Sequence, residues 1–393
     1  MTATDAGAPA SIEMIRKLVG FPTVSRDSNL ELVHFIRDYL RPFDPELRFT
    51  YDDARGKANL FATLGPRGDA GIVLSGHTDV VPVEGQAWDT DPYTLCEKEG
   101  LLYGRGSSDM KSFLAAALTL VPEFVERGLT QPLHLAFSYD EEVGCIGVGR
   151  MIEDLARAGI KPRACIVGEP TMMKPVIAHK GKRGYRCTVR GTAAHSAYAP
   201  RGVNAVEAAA EAIAFLKRMA RRHRDKGPFD RGFDVAYSTV HSGIIRGGTA
   251  LNIVPHHCTF DFEFRCLPGD DPGALLAELE RHVRDVIEPE MHAVDRATGF
   301  TIEPLSEIPA LDTGAETEVV ALAQELSGSS EVGKVSFGTE ASQFQRAGIP
   351  AVICGPGSIE QAHRPNEFVS VEQVALCEAF LRRLADRICG RKA

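Results

Sequence analysis

The sequence predicts an α/β protein in which a smaller module is inserted into a larger domain. In the first and last parts of the chain, short apolar runs typical of buried strands alternate with helical patterns. In the middle of the chain, the pattern changes to strands and helices in the order βαββαβ. We therefore expect a large α/β domain over 1–180 and 309–393 and a ferredoxin-like module over 181–308.

The larger domain is predicted from short apolar runs that have the length of buried strands. A helical pattern over 112–127 follows the first of these runs, as expected when strands and helices alternate around a central sheet. The four runs are 71–74, 133–137, 164–167 and 351–354.

The inserted module is predicted from a change in the order of strand and helix patterns after residue 180. Its long alanine-rich helix ends in basic residues, and its second helix begins at an Asp271-Pro272 cap. An alternative is that these elements only extend one large sheet. The predicted elements are a strand at 185–190, a helix at 203–223, strands at 235–245 and 257–267, a helix at 272–286 and a strand at 301–308.

Composition excludes several classes of partner. The chain has 393 residues, 44% of them hydrophobic, which is enough for two domains with buried cores. Lysine and arginine total 44 against 53 acidic residues, so a nucleic-acid or anionic-membrane partner is not expected. The first ten residues do not resemble a secretory signal, and no apolar run is long enough to span a membrane. We therefore expect a cytoplasmic protein.

The cysteines do not predict a disulfide framework or a thiolate zinc site. They number nine, are scattered along the chain, and form no Cys-x-x-Cys pair. Most are expected to be small buried side chains. Cys145 lies near the acidic residues described next, but no activating partner is visible in the sequence that would make it a nucleophile.

Side chains of the types that commonly bind metals follow the predicted strands of the larger domain. Each has an ordinary alternative reading: a structural histidine, a helix cap or a solvated acidic turn. One further aspartate, Asp109, follows a glycine-rich loop at the start of a helix. The residues at or beyond strand ends are His77 and Asp79, Asp140-Glu141-Glu142, Glu169 and His363.

These residues are expected to converge on one site. Ligands of open α/β sheets bind in the crevice outside the carboxyl ends of the strands, and at least four of the groups lie there. Two histidines and several carboxylates are suitable ligands for zinc, cobalt or manganese, and one aspartate can bridge two ions through its two oxygens. The sequence therefore predicts a two-metal centre.

Five ordered motifs resemble the acetylornithine deacetylase, succinyl-diaminopimelate desuccinylase and carboxypeptidase G family of co-catalytic zinc hydrolases. The resemblance covers essentially the whole chain and implies a catalytic domain with a central mixed sheet flanked by helices. The motifs are Ser75-Gly76-His77-Thr78-Asp79, residues 104–111, Asp140-Glu141-Glu142, Gly168-Glu169-Pro170-Thr171 and His363.

The resemblance implies two zinc ions per subunit, with cobalt or manganese as possible replacements. One ion is expected to be held by His77, Asp109 and Glu169. The second is expected to be held by Asp109, Glu142 and His363, so that Asp109 bridges the two.

The resemblance also implies a mechanism by attack of water on an amide. Glu141 would be the general base that takes a proton from the water and returns it to the departing amine. Asp79 would orient His77 through its carboxylate.

The inserted module resembles the dimerisation or lid domain of the family, which implies a homodimer. His195, within Gly191-Thr192-Ala193-Ala194-His195-Ser196, matches the family histidine that reaches a neighbouring active site, and is a candidate oxyanion stabiliser. Its alternative is a structural turn histidine. Asn252 and Arg265 fall at substrate-binding positions of the family, and a guanidinium suits a substrate carboxylate.

The carboxyl-terminal segment most resembles the acetylornithine deacetylase branch. Thr339 is expected to bind the substrate carboxylate and Glu340 the ornithine ammonium. The expected reaction is hydrolysis of N2-acetyl-L-ornithine in arginine biosynthesis. The alternatives are another N-acyl-amino-acid, succinyl-diaminopimelate or dipeptide hydrolase, and, in a different class, a non-catalytic metal-binding scaffold.

Overall fold

A computed structural model describes residues 8–68 and 70–390, so most of the ten-residue amino-terminal stretch discussed above lies outside the described residues. The chain divides into unit 1 (Met1–Ala178, Leu311–Gly333 and Thr339–Ala393) and unit 2 (His179–Ala310 and Lys334–Gly338). The short segment Lys334–Gly338, which the sequence analysis gave to the larger domain, belongs to unit 2.

The described residues form strands and helices that alternate through most of unit 1. The strands are β1 (Glu46–Tyr51), β2 (Ala58–Leu64), β3 (Ile72–His77), β4 (Cys96–Lys98), β5 (Leu101–Tyr103), β6 (Leu133–Ser138), β7 (Ala164–Pro170), β8 (Val176–His179), β9 (Gly181–Arg190), β10 (Thr239–Gly247), β11 (His257–Cys266), β12 (Gly299–Ile308), β13 (Leu311–Asp312), β14 (Gly333–Val335), β15 (Ala351–Gly355) and β16 (Phe368–Ser370).

The α-helices are α1 (Ile12–Val19), α2 (Leu30–Leu40), α3 (Lys111–Arg127), α4 (Ile146–Arg157), α5 (Ala205–Lys226), α6 (Pro272–His282), α7 (Glu288–Val294), α8 (Glu318–Ser327), α9 (Ala341–Arg346) and α10 (Val371–Ile388). Short 3-10 helices span Arg41–Phe43 and Ser196–Arg201. A π-helical turn, Val283–Ile287, connects α6 to α7.

The large sheet of unit 1 is mixed, as the sequence analysis expected. Its strand order is β1-β2-β6-β3-β7-β15-β8-β13. The four strands β6, β3, β7 and β15 are parallel, and they are flanked by the antiparallel strands β2 and β8. Every residue of β3, β6, β7 and β15 is buried, which explains their continuous apolar character. Their carboxyl ends lie at one edge of the sheet.

Helix α3 packs closely against this sheet because two glycines make room for it. A Cβ at Gly76 would lie 2.4 Å from the Met110 Cε, and one at Gly168 would lie 2.0 Å from the Phe113 Cγ. Both distances are far shorter than any non-bonded contact, so a side chain at either position would force the Met110 or Phe113 side chain to move. Each glycine directly precedes a predicted metal ligand, and the close packing therefore brings the start of α3 to the same sheet edge.

Unit 2 forms its own antiparallel sheet, so the strands predicted for the inserted module do not extend the large sheet. The strand order is β10-β11-β9-β12, and with α5 and α6 this gives the predicted βαββαβ arrangement. Alternate residues of β11 are buried, as expected for a strand with one face on a core. Asn204 caps α5 and Asp271 caps α6 through backbone amides of the first turn.

None of the nine cysteines, all of which belong to the described part of the chain, forms a disulfide, and eight are buried. Among the described residues, no helix has both the length and the apolar character needed to cross a membrane.

One buried histidine of unit 1 makes stability depend on pH. His134 is fully buried on β6; its Nδ1 lies 2.9 Å from the Thr63 hydroxyl, and its Nε2 has no hydrogen-bond partner. Burial lowers the pKa of His134 to about 4. Because the unfolded chain binds this proton at a higher pH, the stabilising contribution is present above about pH 6.5 and is lost as the pH falls towards 4.

We therefore expect His134→Gln to have a weaker loss of stability on acidification than the wild-type protein. Between pH 7 and pH 4.5, the unfolding free energy of His134→Gln should fall by about 2 to 3 kcal/mol less than that of the wild-type protein. Urea unfolding at the two pH values measures it, and His34→Gln, at an exposed position, is the control. An equal loss in the wild type and in His134→Gln would contradict this account.

Candidate metal centre

His77 is the last residue of β3, and one of its ring nitrogens is hydrogen-bonded to the backbone. Its Nδ1 lies 2.8 Å from the Asp79 carbonyl oxygen, which can only accept, so Nδ1 carries the hydrogen. Nε2 therefore faces the Asp109 Oδ1 at 3.0 Å and the Glu169 Oε1 at 3.7 Å. A nitrogen lone pair directed between two carboxylates is a suitable place for a proton or a metal cation.

Asp109 lies between the two predicted histidine ligands. Its Oδ1 faces the His77 Nε2, and its Oδ2 lies 3.4 Å from the His363 Nε2. The same His363 nitrogen lies 2.8 Å from the Glu142 Oε2. His363 comes from an exposed loop beyond β15 and has a positive φ of 63°. One carboxylate thus presents a separate oxygen to each half of the cluster.

The acidic loop after β6 is held by Asp79. The Asp79 carboxylate accepts hydrogen bonds from the backbone amides of Glu141 and Glu142, at 3.1 and 3.3 Å, and from the Ser25 hydroxyl at 2.7 Å. Its Oδ1 is 3.6 Å from the His77 Nδ1, farther than the backbone carbonyl. The expected orientation of His77 by Asp79 therefore occurs through the main chain, whereas the carboxylate fixes the loop.

The three adjacent acids of this loop have different surroundings. Asp140 forms an ion pair with Lys57, with an oxygen-to-nitrogen distance of 2.6 Å. Glu142 faces His363, and Glu141 accepts a hydrogen bond of 3.1 Å from the Cys145 thiol. Burial and the nearby Glu141 raise the pKa of Cys145 well above its usual value, so this cysteine remains a thiol and is not an activated nucleophile.

Glu367, which was not predicted as a site residue from the sequence, organises the loop before α3. Its carboxylate accepts from the Arg105 guanidinium at 2.6 Å, with both side chains 1% exposed. It also accepts from the backbone amides of Gly106, Ser108 and Asp109. Glu367 follows His363 by four residues, but nothing in the sequence distinguishes a buried acid from an exposed one.

The electrostatics of the cluster favour bound cations. Burial raises the pKa of Glu141 to about 8, raises that of Glu142 to about 7, and raises that of Glu169 well above its usual value. Burial alone would raise the pKa of Asp109, but hydrogen bonds from His363 and His77 lower it. Carboxylates this close repel one another when ionised, and divalent cations remove that repulsion.

The surroundings of the two histidines, His77 and His363, favour their charged forms. Hydrogen bonds to Asp109 and Glu142 raise the pKa of His363 to about 10. Burial opposes a charge on His77, yet its hydrogen bond to Asp109 and the charge of Glu169 raise its pKa well above the usual value. Protons and metal ions compete for the same nitrogen lone pairs, so this strong affinity for positive charge fits a metal site.

The donor atoms meet the requirements of divalent cations. Candidate ligand atoms of His77, Glu141 and Glu169 all lie within 4.8 Å of one another, as do those of His77, Asp109 and Glu142. The Glu169 Oε1 is buried without a hydrogen-bond partner, an arrangement that a cation would satisfy. Imidazole and carboxylate donors suit zinc and its neighbours.

Thr339 and Glu340 are both fully buried in unit 1. The Thr339 hydroxyl accepts from the Ala341 amide, and the two oxygens of Glu340 accept from the hydroxyls of Ser75 and Ser138. The expected role of Glu340 as a partner of a substrate ammonium does not agree with this setting, because its oxygens are occupied and shielded from solvent.

His195, Asn252 and Arg265 belong to unit 2. His195 and Asn252 are both exposed. They lie close together, because the backbone amide of Ser196 donates to the Asn252 carbonyl. The His195 Nδ1 accepts from the Ala197 amide at 3.1 Å, so its hydrogen is on Nε2. Arg265 lies on β11 and donates to Glu263 at 2.9 Å.

Two sequence relatives and one solved structure are similar to this chain over most of its length. An acetylornithine deacetylase from Proteus mirabilis is 34% identical over 97% of this chain and 97% of its own length. One from Myxococcus xanthus is 37% identical over 97% and 98%. The solved structure of an M20 family metallo-carboxypeptidase, Sso-CP2 from Sulfolobus solfataricus, has the same fold, with a TM-score of 0.75 and 17% identity over 95% of this chain and 98% of that chain.

A family model described as Peptidase family M20/M25/M40 matches residues 73–387, which include all the metal-binding candidates of unit 1. The chain therefore belongs to peptidase family M20/M25/M40 and is a metal-dependent hydrolase.

Proposed function

We propose that this protein binds two divalent cations, zinc by preference, and hydrolyses N2-acetyl-L-ornithine to L-ornithine and acetate in arginine biosynthesis. The observation that carries the two-metal proposal is the position of Asp109, whose two oxygens face different histidines. His77 and Glu169 complete one set of ligands, and Glu142 and His363 complete the other. The substrate is proposed from the relatives called acetylornithine deacetylase.

The cations would supply polarisation of the amide carbonyl and a lowered pKa for water, which are the usual contributions of such ions. The protein supplies the base. Glu141 projects from the loop held by Asp79 and has no basic side chain as ion-pair partner among the described residues. Its carboxylate takes a proton from the attacking water and returns it to the departing amine, so no covalent intermediate is needed.

Unit 2 is proposed to act as the dimerisation or lid domain of a cytoplasmic homodimer. The His195 Nε2–H is a donor suited to an oxyanion that forms on the substrate carbonyl. Asn252 and Arg265 are proposed to contact the substrate. The Arg265 guanidinium would bind the substrate carboxylate. Sedimentation of the purified protein tests the dimer, and a monomer at micromolar concentration would contradict it.

The experiment for the reaction is release of free amine by the metal-reconstituted protein. We expect rapid cleavage of N2-acetyl-L-ornithine and much slower cleavage of N-succinyl-diaminopimelate. Preference for another N-acyl amino acid or a dipeptide would change the substrate and keep the reaction class. A protein that holds two metal ions and cleaves none of these compounds would contradict the proposal and favour a scaffold.

Removal of the metals should abolish hydrolysis and lower thermal stability. Chelation leaves the clustered carboxylates without neutralising charge, and ions that bind only the folded state stabilise it. We expect the midpoint of thermal unfolding to fall by about 5 to 10 °C and to recover with zinc or cobalt. Scanning calorimetry with and without chelator measures this change; an unchanged midpoint and full activity after chelation would contradict the metal requirement.

A further inference from the structure

We propose that Glu340 is a positioning residue that ties together the two strand ends carrying His77 and the acidic loop. The contact, here called the Glu340 strut, consists of Glu340, Ser75 and Ser138. The Glu340 Oε1 accepts from the Ser75 hydroxyl at 2.7 Å, and Oε2 accepts from the Ser138 hydroxyl at 2.6 Å. The activity part of this inference rests on the proposed function; the metal-binding part does not.

The strut is located where the ligands leave the sheet. Strands β3 and β6 are parallel neighbours, and His77 is paired in register with Ser138. Ser75 is two residues before His77 and shares its face of β3, because side chains of a strand alternate. Ser138 is two residues before Asp140 and three before Glu141. A shift of either strand end would therefore move a metal ligand or the base.

Glu340 reaches these strands from a distant part of the chain. It immediately precedes α9 and is separated from Ser75 by 265 residues and from Ser138 by 202. Its contacts thus fix the start of α9 to both strands. One carboxylate that accepts from two hydroxyls imposes a narrower geometry on the strand ends than the backbone ladder does alone.

The chemistry of the strut also favours cations nearby. Glu340 is fully buried, and among the described residues no Lys or Arg forms an ion pair with it. Burial raises the pKa of Glu340, and the hydrogen bonds from the Ser138 and Ser75 hydroxyls oppose that rise by stabilising the ionised form. In its ionised form, a carboxylate held by these two hydrogen bonds adds negative potential close to the strand ends that carry His77 and the acidic loop.

The test compares Glu340→Gln with Ser75→Ala and Ser138→Ala. Glutamine keeps the size of the side chain but removes the charge, and its amide nitrogen cannot accept from a hydroxyl. We expect Glu340→Gln to weaken cobalt binding and to lower kcat, each by about tenfold or more, with KM changed less than about twofold. Ser75→Ala should mainly weaken metal binding, and Ser138→Ala should mainly lower kcat.

A double variant distinguishes a shared contact from independent effects of Glu340 and Ser138 on kcat. Glu340→Gln keeps one acceptor oxygen for two hydroxyls and so cannot hold both strand ends at once. Adding Ser138→Ala to it should therefore lower kcat by less than the product of the two single effects. The visible spectrum of bound cobalt should also change in Glu340→Gln, which a loss of global stability alone would not cause. The serine variants keep the test informative should Glu340→Gln fold poorly.

Glu378→Gln is the control for loss of a buried carboxylate. Glu378 is also buried in unit 1, at 3% exposure, accepts from the Ser11 hydroxyl at 2.7 Å and the Ser11 amide at 2.8 Å, and pairs with Arg382 at 3.0 Å. It should lower stability while leaving cobalt affinity and kcat near wild type.

Wild-type cobalt affinity, spectrum and kcat in a folded Glu340→Gln protein would overturn the inference. A rise in KM alone would overturn it as well, and would instead support substrate contact. If the wild-type protein fails to cleave acetylornithine, the proposed function fails, and cobalt titration and spectra still decide the strut.

Discussion

Glu141→Gln is expected to lower kcat by about 10²- to 10⁴-fold while the protein keeps its bound metals. Glutamine has nearly the same shape as glutamate but cannot take a proton from water at neutral pH. Glu141, the proposed base, is positioned by the Asp79 carboxylate, which accepts from its backbone amide, and by the Cys145 thiol, which donates to its side chain. KM should change much less than kcat, because the lost interaction acts in the transition state.

Steady-state kinetics together with metal analysis measure this effect. Asp140→Asn is a control in the same loop, since Asp140 pairs with Lys57 and not with a proposed metal ligand. It should lower kcat by less than about tenfold. Glu141→Gln with both metals bound and activity within a few-fold of wild type would remove Glu141 from the mechanism.

Asp109→Asn is expected to have the second large effect, with loss of at least one metal ion and a fall in kcat/KM of about 10²- to 10⁴-fold. Asparagine keeps the size of the side chain but has one neutral carbonyl oxygen in place of two anionic ones. It can serve one half of the cluster and not both, because His77 and His363 face different oxygens of Asp109.

Elemental analysis after dialysis against limiting zinc, combined with kinetics, measures this change. Asp38→Asn, at an exposed position on α2, is the control and should retain both ions. Two tightly bound ions in Asp109→Asn would show that this aspartate does not bridge them.

The strand-end residues of the site could be predicted from the sequence because topology fixes them. His77, Glu142 and Glu169 come from or follow strands whose apolar runs are easy to recognise, and parallel strands bring their carboxyl ends to one edge. The split βαβ order of unit 2 was equally visible, since its strands and helices alternate with clear period changes.

The environment of the buried acids could not be predicted in the same way. Glu340 was assigned to the substrate, but it is held by hydroxyls from strands 202 and 265 residues away. Glu367 was overlooked, although it organises the loop that carries Asp109. Burial of an acid depends on long-range packing, and a single sequence does not record which distant donors will surround a carboxylate.

The most direct test of the two-metal centre is a crystal structure of the zinc-loaded protein with anomalous data collected above and below the zinc absorption edge. We predict two zinc peaks about 3.5 to 4 Å apart, one beside His77 and Glu169 and the other beside Glu142 and His363, with an Asp109 oxygen on each. A single peak in a fully active protein, or two peaks without Asp109 between them, would contradict the account.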